Sequence, residues 1–402
     1  MGSKFKRKAG QLLCFVELIN FIACHTAFQF QNSMLPPHLT EKPHYPILDG
    51  LRGVAALMVV VFHIFEAHAT SFMDQIVNHG YLAVDFFFLL SGFVISYAYD
   101  DRWETLSFRE FARRRIIRLQ PMLIMGTIVG ALLFYTQDST LFPNIHSVPV
   151  WQVLGLMLIG FTLLPIPPSM DIRGWAEMHP LNGPAWSLFY EYVANILYGL
   201  FIRKFSQTAL SVLVVLSGVA LVHLLFTSPS GYVVGGWTLD SNHIHIGLCR
   251  VMFPFFAGLL LCRSGKQIRI PNAFFWSSAL VILIMAMPRL GSKEEIWMNA
   301  LYEAFAIILL FPLVVSLGAG GKIIGERAQQ ICSFLGRISY PIYITHYPII
   351  YLYTSWVVDH KYPMKEVYPV AILVFVSSVT LAWACLKWFD EPVRKWLAMK
   401  WK

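Results

Sequence analysis

Charged side chains are what this sequence has least of: Asp, Glu, Lys and Arg make up 13% of its 402 residues, about half the share of a typical soluble domain. That shortage excludes an ordinary water-soluble globular fold. Cysteine is scarce too. The six (Cys14, Cys24, Cys249, Cys262, Cys332 and Cys385) are scattered, with no Cys-x-x-Cys pair and no histidine at zinc spacing, so neither a disulfide framework nor a metal centre is indicated. There is no repeat of fixed period, no low-complexity tract and no linker long enough to set off a second domain. What fills the chain is apolar: 56% hydrophobic residues and a mean hydropathy of +0.58 define a polytopic membrane protein. A net charge of +8 would suit nucleic acid, but the basic residues sit in short clusters between apolar runs, as in cytoplasmic loops, and a nucleic-acid partner is set aside.

Apolar runs near 53–67, 82–99, 119–135, 185–202, 208–226, 247–262, 272–288, 299–317, 338–355 and 368–388 predict an all-α fold of about ten transmembrane helices around a central polar channel. An even count puts both termini on one side. Basic clusters at Arg102 to Arg118, Arg203 and Lys204, Arg263 to Arg269, Lys322 to Arg337 and Arg394 to Lys402 all fall on that side, which the positive-inside rule makes the cytoplasm of a plasma or inner membrane. The opposite loops, such as QDSTLFPNIHSVP, are neutral or mixed. A further run, WQVLGLMLIGFTLL from Trp151, would break this register if it crossed, so it reads as re-entrant or interfacial. Residues 1–44 form an N-terminal extension. There Lys4, Lys6, Arg7 and Lys8 precede a stretch interrupted by Glu17, Asn20 and His25, which suits a surface helix or disordered tail better than a signal peptide. Residues 45–396 form the transmembrane domain and 397–402 a basic cytoplasmic tail.

Eleven positions separate Arg52 from His63, just over three turns, so both lie on one face of the first span about 16 Å apart. That is about the reach of an extended pantetheine arm. With span two running back inward and span four running inward from Trp186, Asp85 and Glu191 come to the level of His63 in the outer half. Ser187, Glu191 and Asn195 recur at fours and make a polar stripe that must face protein or water. Glu66, close to one turn beyond His63, could also orient it. At the cytoplasmic face, FREFARRRIIRLQP sets Arg115 and Arg118 three apart on a helix, near Arg52. Their guanidinium forks suit a phosphate-bearing cosubstrate.

Each of these residues has a plainer reading. An intramembrane histidine also ties helices together, a carboxylate such as Glu191 hydrogen-bonds across them, and Asp85 can cap its span. Retention on the cytoplasmic side explains Arg113 and Arg114. His346, mid-span with Ser339 and Tyr343 on a similar face, reads as structural or pore-lining. His243 and His245, in an outer loop, read as solvated or substrate-touching.

The same segments carry a family resemblance. DGLRGVAALMVVVFH resembles the Arg-x10-His motif of the acyltransferase-3 family of integral-membrane O-acyltransferases. AVDFFFLLSGFVIS is similar to its second-span signature, Arg115-Ile-Ile-Arg118 to its Arg-x-x-Arg motif, NGPAWSLFYEY to its Trp-Ser-Leu-x-x-Glu segment and LGRISYPIYITHYP to its late Ser-Tyr-x-x-Tyr-x-x-His stretch. Several motifs in order over residues 45–396 are far more specific than a lone pattern. The resemblance implies ten spans, acyl-CoA (acetyl-CoA foremost) as donor, no metal, and transfer of an acetyl or other short acyl group to a hydroxyl. It makes His63 catalytic with Glu191 its partner, and Arg52, Arg115 and Arg118 donor-binding. Trp186, Ser187, Asn195, Tyr340 and His346 are expected along the substrate path. Some members carry a fused extracytoplasmic esterase-like domain; this chain ends at Lys402 without one, which leaves a separate esterase-like partner open.

The expected reaction brings acyl-CoA from the cytoplasm onto the three arginines. His63, oriented by Glu191 or Asp85, then takes the proton of an acceptor hydroxyl as that oxygen attacks the thioester carbon. The acceptor expected from the family is a glycan or glycolipid sugar, with membrane lipid the other partner. A covalent relay through His63 fits the sequence as well. The rival class is a secondary transporter for an anionic solute, which would bury the same residue types near the midplane; matched halves with Gly/Pro-broken helices, its usual mark, are not found.

Overall fold

The structure, a computed structural model, describes residues 44–71 and 73–401. All but the last residue of the expected N-terminal extension lie outside them. Among the described residues the chain is helical and has no strand. The helices are α1 (Pro46–Glu66), α2 (Ala83–Tyr99), α3 (Phe108–Leu133), α4 (Val150–Phe161), α5 (Ala185–Leu200), α6 (Gln207–Thr227) and α7 (Ser241–Ser264). They continue with α8 (Ala273–Ala286), α9 (Ile296–Phe305), α10 (Phe311–Gly320), α11 (Glu326–Thr345), α12 (Tyr347–His360), α13 (Met364–Cys385) and α14 (Glu391–Lys400). A π turn joins α9 to α10 and another joins α13 to α14. Local chemistry sets the ends. Pro46 opens α1 where a missing N–H costs nothing, and the Ser107 hydroxyl accepts from the Glu110 amide at 3.2 Å to cap α3. Gly265 closes α7 at φ +64°, a left-handed turn suited to glycine.

Among the described residues, seven segments are long and apolar enough to cross a membrane: Pro46–Glu66, Gly80–Tyr99, Phe108–Gln137, Gln207–Thr227, Ser241–Ser264, Ile296–Gly320 and Met364–Lys400. That is fewer than the expected ten, and each of the other three has a physical reason. α5 has 16 residues and α8 has 14, roughly 24 and 21 Å against a hydrocarbon core of about 30 Å. The run 338–355 is not one helix. Pro348 in the first turn of α12 offers no N–H to the preceding helix, so the chain divides at His346. The stretch from Trp151 folds as α4, whose 12 residues are about 18 Å long and cannot cross. Of the expected basic tail, residues 397–400 are the end of α14, and Lys402 lies outside the described residues.

α1 runs through the middle of the molecule with nearly all its side chains buried. It lies closest to α11, where Gly53 meets the Leu335 backbone and Gly336 meets Asp49; a Cβ at either glycine would overlap its neighbour. α2 and α7 meet in the same way, Gly92 against the Phe255 carbonyl and Gly258 against that of Leu89. Small residues let helix backbones touch, which in lipid replaces a hydrophobic drive to associate. α1 is thereby held in place, with Arg52 near one end and His63 near the other.

Candidate active site

Around the start of α3 a pocket with an empty volume of about 770 Å3 opens between α1, α2, α3, α5 and α11. Arg52, Arg115, Arg118, Ser187, Glu191 and Tyr340 all line it, so six of the expected site residues share one cavity. Asp49 accepts from Arg52 Nη1 at 3.3 Å. Arg115 Nη2 donates to Glu191 Oε1 at 2.6 Å, and Ser91 Oγ donates to the same oxygen at 2.8 Å. Arg118 is exposed to the cavity and makes no hydrogen bond or ion pair among the described residues. Three guanidiniums thus face two carboxylates, which leaves one positive charge for an anion. Arg113 and Arg114 pair elsewhere: Glu110 takes Arg113 at 2.6 Å and Arg114 at 3.0 Å. At the cavity's inner end the Ser187 and Tyr343 hydroxyls bond each other at 2.6 Å, and Tyr340 donates to the Leu119 carbonyl at 2.7 Å.

His63 lies beyond this cavity. Its ring is stacked on His346 at 5.6 Å and meets Tyr347 edge-on at 4.8 Å, while the His346 ring is 6.2 Å from that of Tyr343. The carboxylate it contacts is Glu66, whose Oε2 is 2.6 Å from His63 Nδ1. A carboxylate accepts only, so it places the proton on Nδ1 and leaves Nε2 with a free lone pair. His346 Nδ1 lies 3.0 and 2.9 Å from the carbonyls of Ile342 and Tyr343, and its buried Nε2 has no partner among the described residues.

The structure corrects the pairings expected for His63, because Glu191 is held by Arg115 and Asp85 by another arginine altogether. Asp85 is fully buried against Arg250, with contacts of 2.7 and 3.3 Å. The Arg250 guanidinium also reaches the carbonyls of Tyr81 at 2.9 Å and Gly235 at 3.3 Å and sits 5.2 Å from the Trp186 ring. Trp186 therefore packs beside that pair and not on the cavity. Asn195 is buried off the cavity with both amide atoms unpartnered. His243 is no solvated loop residue: its Nδ1 accepts from the Gly236 amide at 3.1 Å. Sequence reasoning passed over Arg250 and Ser91. The signal for Arg250 was available, a lone arginine inside the apolar run GLCRVMFPFFAG.

The chain matches the family described as "Acyltransferase domain" over residues 45–388. It is 32% identical over 169 residues to "Protein 2 in picA locus" of Rhizobium radiobacter, covering 40% of this chain and 84% of that protein. It is 23% identical over 371 residues to "O-acetyltransferase OatA" of Staphylococcus aureus, covering 88% of this chain and 58% of the relative. With "Putative peptidoglycan O-acetyltransferase YrhL" of Bacillus subtilis it shares 26% over 393 residues, 89% of this chain and 56% of the relative. The chain thus spans somewhat over half the length of the last two. No solved structure matches it.

Proposed function

Since this chain belongs to the acyltransferase family it matches over residues 45–388, we propose that it is a multi-pass membrane O-acyltransferase. It moves an acetyl or other short acyl group from acyl-CoA to a hydroxyl of a glycan, glycolipid or related acceptor. The observation that carries this reading is the three-arginine cavity with its unpaired Arg118. The donor's phosphates bind Arg52, Arg115 and Arg118 from the cytoplasmic side, and its arm runs along α1, whose rise from Arg52 to His63 is about 16 Å.

His63 Nε2 takes the proton of the acceptor hydroxyl as that oxygen attacks the thioester carbonyl carbon. The carbon–sulfur bond then breaks, and the departing thiolate takes from His63 Nε2 the proton it removed from the acceptor. Glu66 holds the ring for this step. Tyr343, bonded to Ser187 at 2.6 Å, closes the cavity short of His63 and must swing aside to admit the thioester. Asp85 has no place in this chemistry and acts as a structural counter-ion to Arg250. Two of the three relatives above are named for acyl transfer and none of the three for transport, so the transporter reading gains nothing from them.

The test uses the purified full chain in detergent, where no gradient can drive transport. Wild type should release free thiol from acetyl-CoA and acetylate an acceptor. His63→Ala should lose a factor of about 10² to 10⁴, the usual contribution of a general base, while eluting as a monodisperse species. Near-wild-type transfer by that variant would sink the mechanism, and an inactive wild type would sink the function.

A further inference from the structure

The side chains of His63 and Glu66 are 17% and 40% exposed, and neither lines the arginine cavity. A second substrate therefore has its own way to the imidazole, from the face opposite the arginines. What borders that way is α12. Its first residue, Tyr347, meets the His63 ring edge-on at 4.8 Å; six positions on, the Tyr353 hydroxyl lies 2.6 Å from Nε2 of His68, which is five positions beyond His63. Contacts in that register mean that the end of α1 and the start of α12 rise side by side. The His68 ring also hydrogen-bonds the Tyr362 backbone, so the chain leaving α12 is tied to the segment that carries His63.

Beyond Tyr353 the rings gather. Trp356 stacks on Tyr353 at 6.2 Å and lies 5.5 Å from His360 and 5.4 Å from Tyr362, while His360 and Tyr362 are nearly parallel at 5.5 Å and 12°. Lys361 makes the turn between them at φ +55°, a strained position for a side chain, which folds Tyr362 back over the end of the helix. On the outside, His360 is exposed, Tyr362 is 42% exposed and Trp356 is half-buried. His360 Nδ1 lies 2.9 Å from the Trp356 carbonyl, which leaves Nε2 as an acceptor. That nitrogen, the Trp356 indole N–H and the Tyr362 hydroxyl have no hydrogen-bond partner among the described residues.

Aromatic side chains at the end of a span ordinarily stand among lipid headgroups. Four rings packed on one another, with unmet donors and acceptors at their rim, fit instead a flat ligand that has an apolar face and a polar edge. A pyranose ring has both, C–H bonds on its faces and hydroxyls around its edge. Trp356 stands nine positions beyond Tyr347, a rise of about 13 Å from the level of His63, so one sugar ring does not reach both. We propose that Trp356, His360 and Tyr362 form an acceptor subsite that holds one sugar ring of a glycan chain, while another ring of that chain, a few units away, presents its hydroxyl to His63 Nε2. The acceptor is then an oligosaccharide or a longer glycan, not a free monosaccharide. This inference rests on the O-acyltransferase reading.

Stacking reads the ring more than its substituents, so a simple neutral oligosaccharide serves as probe. Fluorescently tagged chitotetraose is titrated into the full chain in nanodiscs and followed by polarisation, with untagged chitotetraose and N-acetylglucosamine as competitors. Wild type should bind the tagged probe, and the tetrasaccharide should compete at least about tenfold better than the monosaccharide, because only it bridges both ends of the path. Trp356→Ala and Tyr362→Ala should each weaken binding by roughly tenfold, as loss of an aromatic anchor does, while Trp356→Phe keeps a ring and stays near wild type. Acetyl-CoA affinity should be unchanged in all three, which checks that they fold, and the exposed Tyr362 covers the case in which Trp356→Ala does not. No binding by wild type, binding undiminished in the alanine variants that fold, or equal competition by the monosaccharide would each overturn the subsite. Binding as expected by a wild type that releases no thiol from acetyl-CoA would leave the subsite standing and overturn the enzymatic reading.

Discussion

Two of the arginine–carboxylate pairs between helices, Arg250–Asp85 and Arg115–Glu191, are built to opposite ends. In the Arg250–Asp85 pair the side chains are 2% and 0% exposed, and the guanidinium is shared among the carboxylate, two carbonyls and the Trp186 ring. Each of the three nitrogens of that buried cation has a partner inside the protein. In the Arg115–Glu191 pair the side chains are 10% and 21% exposed. The pair rests on a single hydrogen bond, leaves Arg115 Nε unpartnered and looks onto a cavity. The same two chemical groups thus serve as a staple in one place and as an exchangeable contact in the other. What separates them is how completely the arginine is satisfied, since a buried ion pair recovers its desolvation cost only when its remaining hydrogen bonds are made.

The largest expected effect separates the two pairs directly. Arg250→Met leaves Asp85 as an unpaired buried charge, at a cost of about 3–5 kcal/mol, and should remove the monodisperse peak in detergent size-exclusion; Arg115→Met should keep it. Equal behaviour of the two variants would erase the distinction. Next in size is the donor's dependence on the forked head group. Arg52→Lys, Arg115→Lys and Arg118→Lys keep the charge and lose the fork, and each should weaken acetyl-CoA binding by roughly tenfold, the worth of one charged hydrogen bond. Titration calorimetry reads this, and unchanged affinity in all three would move the donor site elsewhere. The matching substitution Arg250→Lys should act on stability and not on donor affinity, which sharpens the contrast. The smallest effect is on labelling alone. In a chain whose six native cysteines are replaced, a cysteine at Glu104 should resist a membrane-impermeant thiol reagent in intact cells and one at Asn242 should react. Labelling of both would remove the sidedness assumed for the donor cavity.

Arg52 and His63 were legible together because helical periodicity is strong over a long apolar run, and α1 spans both. The meeting of Arg52, Arg115 and Arg118 was legible for a related reason: each lies within a few turns of a helix start at the charge-rich face. Glu191 was misjudged as a partner of His63 because its depth was counted down a span assumed to cross fully. α5 is a 16-residue helix, and its neighbour at Glu191 is Arg115 of α3. Asp85 was misjudged because a carboxylate does not announce its counter-ion, and Arg250 stands 165 positions away. The division at His346 was hidden by an apolar count that ignores Pro348.

The close seating of α1 against α11 also sets a timetable for making this protein. α1 is the first described helix to leave the ribosome, and its glycine-lined partner starts at Glu326, 260 positions after α1 ends at Glu66. At translation speeds of about 5–20 residues per second the interval is roughly 13–50 s. Throughout it the helix bearing Arg52 and His63 has neither the neighbour that covers Gly53 nor His346 against its ring. A nascent chain stalled in that interval carries an α1 whose Gly53 face and His63 ring are still uncovered, so the donor-facing and histidine ends of that helix acquire their fixed relation only late in synthesis.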